Sequence, residues 1–176
     1  LTLLFFWQGN GLVVYAQSNL TASQDTFIDI NDEPNATHDG EKLVLAFSTF
    51  PGFTATKNIL IQFDLTGVTS SLTGAPLVLQ LTQNGLSTGS VTVELRQLPD
   101  NWTESVTNAN APLPGILLQT KTIAVGTTGE IRFTNASIGT YLEAQRTGDG
   151  KASFLLTLTT GAGFGTNLVF GDQESG

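Results

Sequence analysis

The sequence predicts an all-β protein, an antiparallel, jelly-roll-like β-sandwich with one short helix and an extended N-terminal strand arm. Three observations predict it. Short runs in which apolar and polar residues alternate recur from Thr21 onward, clusters of Gly, Pro, Asn and Asp separate them, and a helical spacing is nearly absent. A length of 176 residues suits a single domain able to bury a core, so residues 19–176 are read as the sandwich and residues 1–18 as the arm.

The clearest strands run from Lys42 to Phe47, Asn58 to Leu65, Pro76 to Thr82, Ser90 to Gln97, Lys121 to Val125, Glu130 to Phe133, Ala152 to Thr159 and Asn167 to Phe170. Successive side chains of a strand point to opposite faces, so the inward sets are Leu43, Leu45 and Phe47; Ile59, Ile61 and Phe63; Leu77, Leu79 and Leu81; and Val91, Val93 and Leu95. Burying these sets against one another is the main stabilising term, at about 1.5 to 3 kcal/mol per large side chain. Ala136 to Gln145 carries the one helical spacing, with Ile138, Tyr141 and Leu142 on one side and Thr147-Gly148-Asp149-Gly150 ending it.

The arm is the unusual element. Leu1-Thr2-Leu3-Leu4-Phe5-Phe6-Trp7 is strongly apolar, Gln8-Gly9-Asn10-Gly11 interrupts it, and Leu12-Val13-Val14-Tyr15-Ala16 resumes. Val14-Tyr15-Ala16 has small residues at both positions a signal peptidase inspects, although no basic segment precedes the run. The run is too short and too interrupted for a membrane helix, which needs about 20 continuous apolar residues. A third reading is a strand that must be covered to stay in water; extended, it would reach roughly 50 Å, far enough to complete the sheet of a neighbouring copy. On that reading Leu3, Leu4, Phe5, Phe6, Trp7, Leu12, Val13, Val14 and Tyr15 are the assembly residues, and head-to-tail repetition gives a homopolymeric filament; the remaining alternative is strands paired within the chain's own sandwich.

Composition narrows the function classes. Seven Lys plus Arg stand against 15 Asp plus Glu, a net charge of −8, which repels a nucleic-acid backbone. There is no Cys, so disulfides and thiol catalysis are excluded, and the single His38 cannot furnish a His-based triad or a multi-histidine zinc site. Charged residues make up only 12% of the chain, and solubility rests on hydroxyls and amides, a balance common in extracellular β proteins. In an exported chain the triplets Asn19-Leu20-Thr21, Asn35-Ala36-Thr37, Asn101-Trp102-Thr103 and Asn135-Ala136-Ser137 are acceptors for glycans on Asn19, Asn35, Asn101 and Asn135.

Two further constellations carry chemistry. Asp25, Asp29, Asp32, Glu33 and Asp39 are dense enough in hard oxygen ligands for calcium, though without the spaced loop of an EF-hand; the competing reading is a row of solvated carboxylates. No other cofactor is called for. Trp102 and Glu104 suit a sugar platform, an indole face against a pyranose beside a carboxylate; the competing reading places Trp102 in the core. No pair of acids is marked out for glycoside hydrolysis, so the chain is read as a non-enzyme.

The order of motifs resembles a known family. Ala22-Ser23-Gln24-Asp25-Thr26-Phe27-Ile28-Asp29 resembles the opening strand of DNRLRE-type carbohydrate-binding-module-like domains, and Asn58-Ile59-Leu60-Ile61-Gln62-Phe63-Asp64-Leu65 is similar to their Leu-x-x-Phe-Asp-Leu strand. Asn101-Trp102-Thr103-Glu104-Ser105 resembles their Trp-x-Glu segment, and Phe170-Gly171-Asp172-Gln173-Glu174-Ser175 their terminal segment, with Gln173 where Arg is usual. The likeness runs from about residue 21 to 176. It implies export and attachment to polysaccharide or cell-surface structures, sometimes with bound calcium. The arm has no counterpart in it. Two functions follow as expectations: a structural subunit of an extracellular filament or surface fibre built by donor-strand insertion, or alternatively a secreted carbohydrate-binding or adhesion module that does not polymerise.

Overall fold

The computed structural model describes residues 2–3, 20–40, 42–50, 53–159 and 166–171. The strands are β1 (Thr2–Leu3), β2 (Leu20–Thr21), β3 (Gln24–Asp29), β4 (Leu43–Phe50), β5 (Phe53–Asp64), β6 (Leu77–Asn84), β7 (Ser90–Leu98), β8 (Leu117–Ala124), β9 (Gly129–Phe133), β10 (Lys151–Leu158) and β11 (Thr166–Phe170); one helix, α1 (Ala136–Thr147), precedes β10. Every strand expected from the alternation is present. The eighth strand begins earlier than expected, at Leu117 instead of Lys121, because β7 and β8 slip register at Leu95/Arg96 and the extra residue hides the alternation in Leu117-Leu118-Gln119.

All pairings are antiparallel and link the strands into one sheet that folds over on itself, nearly closing into a barrel. Two layers result. The front layer is β3-β5-β10-β7-β8; the back layer is β4-β11-β6, with β9 on the far side of β6 and β1 near its start. β5 belongs to both. Its first half pairs with β4 from Phe53↔Phe50 to Lys57↔Ala46, while its second half pairs with β10 from Ile59↔Leu156 to Asp64↔Lys151 on the same edge.

Between the layers lies the expected core. Leu43, Leu45, Ile59, Ile61, Phe63, Leu77, Leu79, Leu81, Val91, Val93 and Leu95 are buried in one continuous cluster, with Phe47 packed against it; Phe133, Phe154, Leu156, Leu168 and Phe170 complete it. α1 buries Ile138, Gly139, Tyr141 and Leu142, and Tyr141 meets Phe154 edge-on with ring centroids 5.3 Å apart. Asn135 caps the helix, its side-chain oxygen accepting from the Ser137 N–H at 3.2 Å. After the helix, Gly150 turns the chain with φ 79°, a left-handed conformation suited to glycine, and its carbonyl accepts from the Leu65 N–H at 2.7 Å. The helix lies against the segment before β6 so closely that a Cβ on Gly139 would sit 2.1 Å from the Thr73 carbonyl oxygen.

The start of the chain departs from the expected outward arm. Thr2 and Leu3 pair with Val78 and Leu77 of β6 and also with Thr21 and Leu20 of β2, so their backbone groups are satisfied within their own sheet. Leu4, Phe5, Phe6, Trp7, Leu12, Val13, Val14 and Tyr15 lie outside the described residues. No helix among the described residues is long and apolar enough to cross a membrane.

Two substitutions test this packing. Ile61→Asp or Val93→Asp places an unpaired charge in the inter-layer core and is expected to yield protein without a cooperative thermal transition. Gly139→Ala forces α1 off the Thr73 backbone and is expected to cost about 1 to 3 kcal/mol in chemical denaturation; an unchanged midpoint would show that the helix stands farther from that segment.

Candidate functional site

The outer face of the front layer is divided into a covered half and an open half. Ile28 of β3, Leu60 of β5, Leu155 of β10 and Leu98 of β7 point outward, yet all are buried, because the segment between β7 and β8 crosses over them. That segment contributes Trp102, Val106 and the partly buried Ala111 to a second small core. It is pinned along its length. The Trp102 Nε1–H donates to Ser153 Oγ at 3.1 Å, Glu104 accepts from the Asp25 N–H at 3.3 Å, and Asn108 Nδ2 donates to the Ile30 carbonyl at 3.4 Å. The Gly115 N–H then bonds the Gln97 carbonyl at 2.9 Å and returns the chain to the sheet at β8.

Beneath the crossing lies a buried polar cluster. Gln62 Nε2 donates to Ser153 Oγ at 2.9 Å and accepts at Oε1 from Gln24 Nε2 at 2.9 Å, and the Tyr141 hydroxyl donates to the Ser153 carbonyl at 2.9 Å. Burial pushes the Tyr141 hydroxyl up to about 12, with the Asp100 charge adding to the effect. Asp100 is also raised above the ordinary carboxylate value, chiefly by burial, against which the Ser153 hydroxyl hydrogen bond works.

The open half is what the crossing segment leaves bare. Its floor consists of the outward residues of β10, β7 and β8, opposite in phase to the core set. Glu94 stands between Thr157 of β10 and Thr120 of β8, Thr92 faces Thr122, and Arg96 faces Leu117 across the bulge. Arg96 pairs with Glu94 at 2.8 Å and Nη1 donates to the Gly115 carbonyl at 3.4 Å, so the charges of this face are balanced and fixed. Toward β5 the row ends at Asn58, one step beyond the Leu156↔Ile59 pair; it is 9% exposed, and its Oδ1 has no hydrogen-bond partner among the described residues. Along the β8 side runs an apolar lip of Leu113, Ile116 and Leu117, all exposed. Hydroxyls, a fixed ion pair and an aliphatic lip can bind a polyhydroxylated ligand by hydrogen bonds and by contact with its C–H faces.

Several expected site residues sit elsewhere. Trp102 is 5% exposed and closes the second core together with Ile28, Leu60, Leu98, Val106 and Leu155, as the core reading expects. Glu104 holds the crossing segment to β3. Among the described residues no group of three or more histidine or acidic side chains is placed to hold a metal. Asp32 and Glu33 are exposed, whereas Asp25 and Asp29 are buried. Asp29 has its oxygens occupied, Oδ1 accepting from the N–H groups of Asn31 and Asp32 at 3.2 and 2.9 Å and Oδ2 pairing with Lys57 at 3.2 Å. Burial opposes its ionisation, but these partners prevail and hold its carboxyl below the usual range. Lys57 also lies 4.9 Å over the Phe27 ring, which stacks on His38 at 4.0 Å. Asn35, Asn101 and Asn135 are exposed; Asn19, Asp172 and Glu174 lie outside the described residues.

The floor residues Thr92, Glu94, Arg96, Thr120, Thr122 and Thr157 were not singled out by sequence. Their signal was the complement of the core pattern, Thr-x-Glu-x-Arg on β7 and Thr-x-Thr on β8.

Asp100 gives this region a measurable pH response. A carboxyl with a raised folded value binds its proton more tightly in the fold, so ionisation costs stability; the cost is absent below the ordinary carboxylate range and complete once the pH exceeds the raised value. Asp100→Asn is therefore expected to raise the melting temperature at pH 7 and to leave it nearly unchanged at pH 3. An equal effect at both would assign the gain to something other than charge.

Comparison with known proteins is consistent with this geometry. No curated protein matches the chain. The family model described as carbohydrate-binding module family 96 matches residues 16–176, which takes in both layers, the crossing segment and the open face. The chain belongs to carbohydrate-binding module family 96.

Proposed function

We propose that this chain is an exported, non-catalytic module that holds polysaccharide on the open half of its front layer. The family assignment supports carbohydrate as the ligand class, and the single structural observation carrying the location is the hydroxyl-rich floor around the Glu94–Arg96 pair. None of the described floor residues is aromatic, so on this face they offer hydrogen bonds and aliphatic contact. The exposed asparagines of the triplets at Asn35, Asn101 and Asn135 suit an extracellular setting, and at Asn135 a glycan on Nδ2 would leave the Oδ1 cap of α1 intact. Assembly into a homopolymer has less support, because Thr2 and Leu3 already pair within their own sheet.

Retention on immobilised polysaccharides tests the reading. The intact protein is expected to be retarded by at least one neutral plant or microbial glycan without releasing reducing sugar, and Glu94→Ala with Arg96→Ala is expected to abolish retardation with little change in melting temperature. Retention by no polysaccharide would end the proposal. Deleting residues 1–18 is expected to leave retention intact; loss of an oligomer on that deletion would restore the filament reading.

A further inference from the structure

The open face has a direction as well as a composition. Thr120, Glu94, Thr157 and Asn58 form one row that runs across β8, β7, β10 and β5, nearly perpendicular to the strands. Adjacent strands are about 4.8 Å apart, close to the length of one sugar ring in an extended β-linked chain. A glycan laid along the row would therefore meet one strand per sugar unit. A glycan laid along a strand would meet same-face side chains about 6.7 Å apart and fall out of step after the first contact.

Burial grades along the row. Thr120 is exposed, Glu94 and Thr157 are half-buried, and Asn58 is buried with an unpartnered acceptor. The hydroxyls of Thr120 and Thr157 form no hydrogen bond among the described residues. A buried acceptor without a partner is uncommon in a folded protein, and at the inner end of a row of uncommitted hydroxyls it fits a place for donors brought by a ligand. Ile28, the cross-strand neighbour of Asn58, belongs to the second core that the crossing segment covers, against which Ala111 packs.

Charge selects among glycans. Among the described residues the formal charges on the row and its flank are Glu94 and Arg96, which neutralise each other at 2.8 Å, and the chain as a whole carries −8. A polyuronate would find no unpaired cation on this floor and an unfavourable field around it. Resting on the proposed carbohydrate function, we infer that this row is the binding track for an uncharged, extended β-linked polysaccharide, which crosses the strands with about one sugar per strand and its inner end at Asn58.

Calorimetric titration with soluble oligosaccharides of neutral β-1,4-linked glucose, mannose and xylose, and with a β-linked uronic acid oligomer, tests the inference on the full chain. Affinity for at least one neutral series is expected to rise by about tenfold or more from disaccharide to tetrasaccharide and then level off, as the row is filled. Thr120→Val and Thr157→Val keep the β-branched shape and are each expected to weaken tetrasaccharide binding about tenfold with an unchanged melting temperature. Asn58→Asp keeps the size of the side chain and would add a charge at the inner end, with a larger expected loss. Neutral binding that none of these variants alters would place the track elsewhere, and tighter binding of the uronic acid oligomer would overturn the assignment of ligand class. Absence of binding to every polysaccharide would instead defeat the proposed function itself.

Discussion

The front layer is apolar on both faces over part of its width, and this constraint shapes everything around it. A sheet with one wet face needs only alternation, but Ile59-Leu60-Ile61 and Phe154-Leu155-Leu156 are apolar without interruption and demand cover on each side. The back layer covers the inner face. The crossing segment covers the outer one, with Trp102 as its largest apolar group. Where the sheet returns to strict alternation, at Val91-Thr92-Val93-Glu94 on β7 and Thr120 and Thr122 on β8, cover stops and the polar floor begins.

Ser153 fixes where that boundary lies. Its hydroxyl accepts from both Trp102 and Gln62, while its carbonyl accepts from Tyr141, so the crossing segment, β5, β10 and α1 meet at one buried residue. Buried polar groups tolerate little displacement, since an unmade bond in low dielectric costs more than a made one contributes. The cluster thus sets the lateral position of the crossing segment, and with it the wall of the open face. The small hydroxyl side chains of the open face gain their definition from this border.

The layers and the inter-layer core were legible because their signal is local: Leu77, Leu79 and Leu81, or Val91, Val93 and Leu95, alternate with polar residues and face one way. The helix was legible for the same reason. The second core was partly visible in the unbroken apolar triplets, but nothing local to Trp102 states that its partners are Leu60 and Leu155, and an aromatic residue between Asn and Thr reads equally well as a stacking platform. The surroundings of the acidic series were likewise not local in the sequence. Asp25 to Glu33 are close in sequence, yet Asp29 is engaged by Lys57 and by the turn that follows it, a pairing set by the register of β3 on β5. The row Thr120, Glu94, Thr157 and Asn58 joins four strands and exists only once their registers are fixed.

The position of β10 bears on how the chain reaches this state. Its residues lie between β5 and β7, with Phe154 opposite Ile61 on one side and Gln97 on the other. Until residues 151–158 have been synthesised, the front layer lacks its central strand, and neither flanking strand can close on the other. Ladder edges on both sides stay open until then, together with Ile59 and Leu95 beside them. The front layer therefore closes only when β10 docks between β5 and β7.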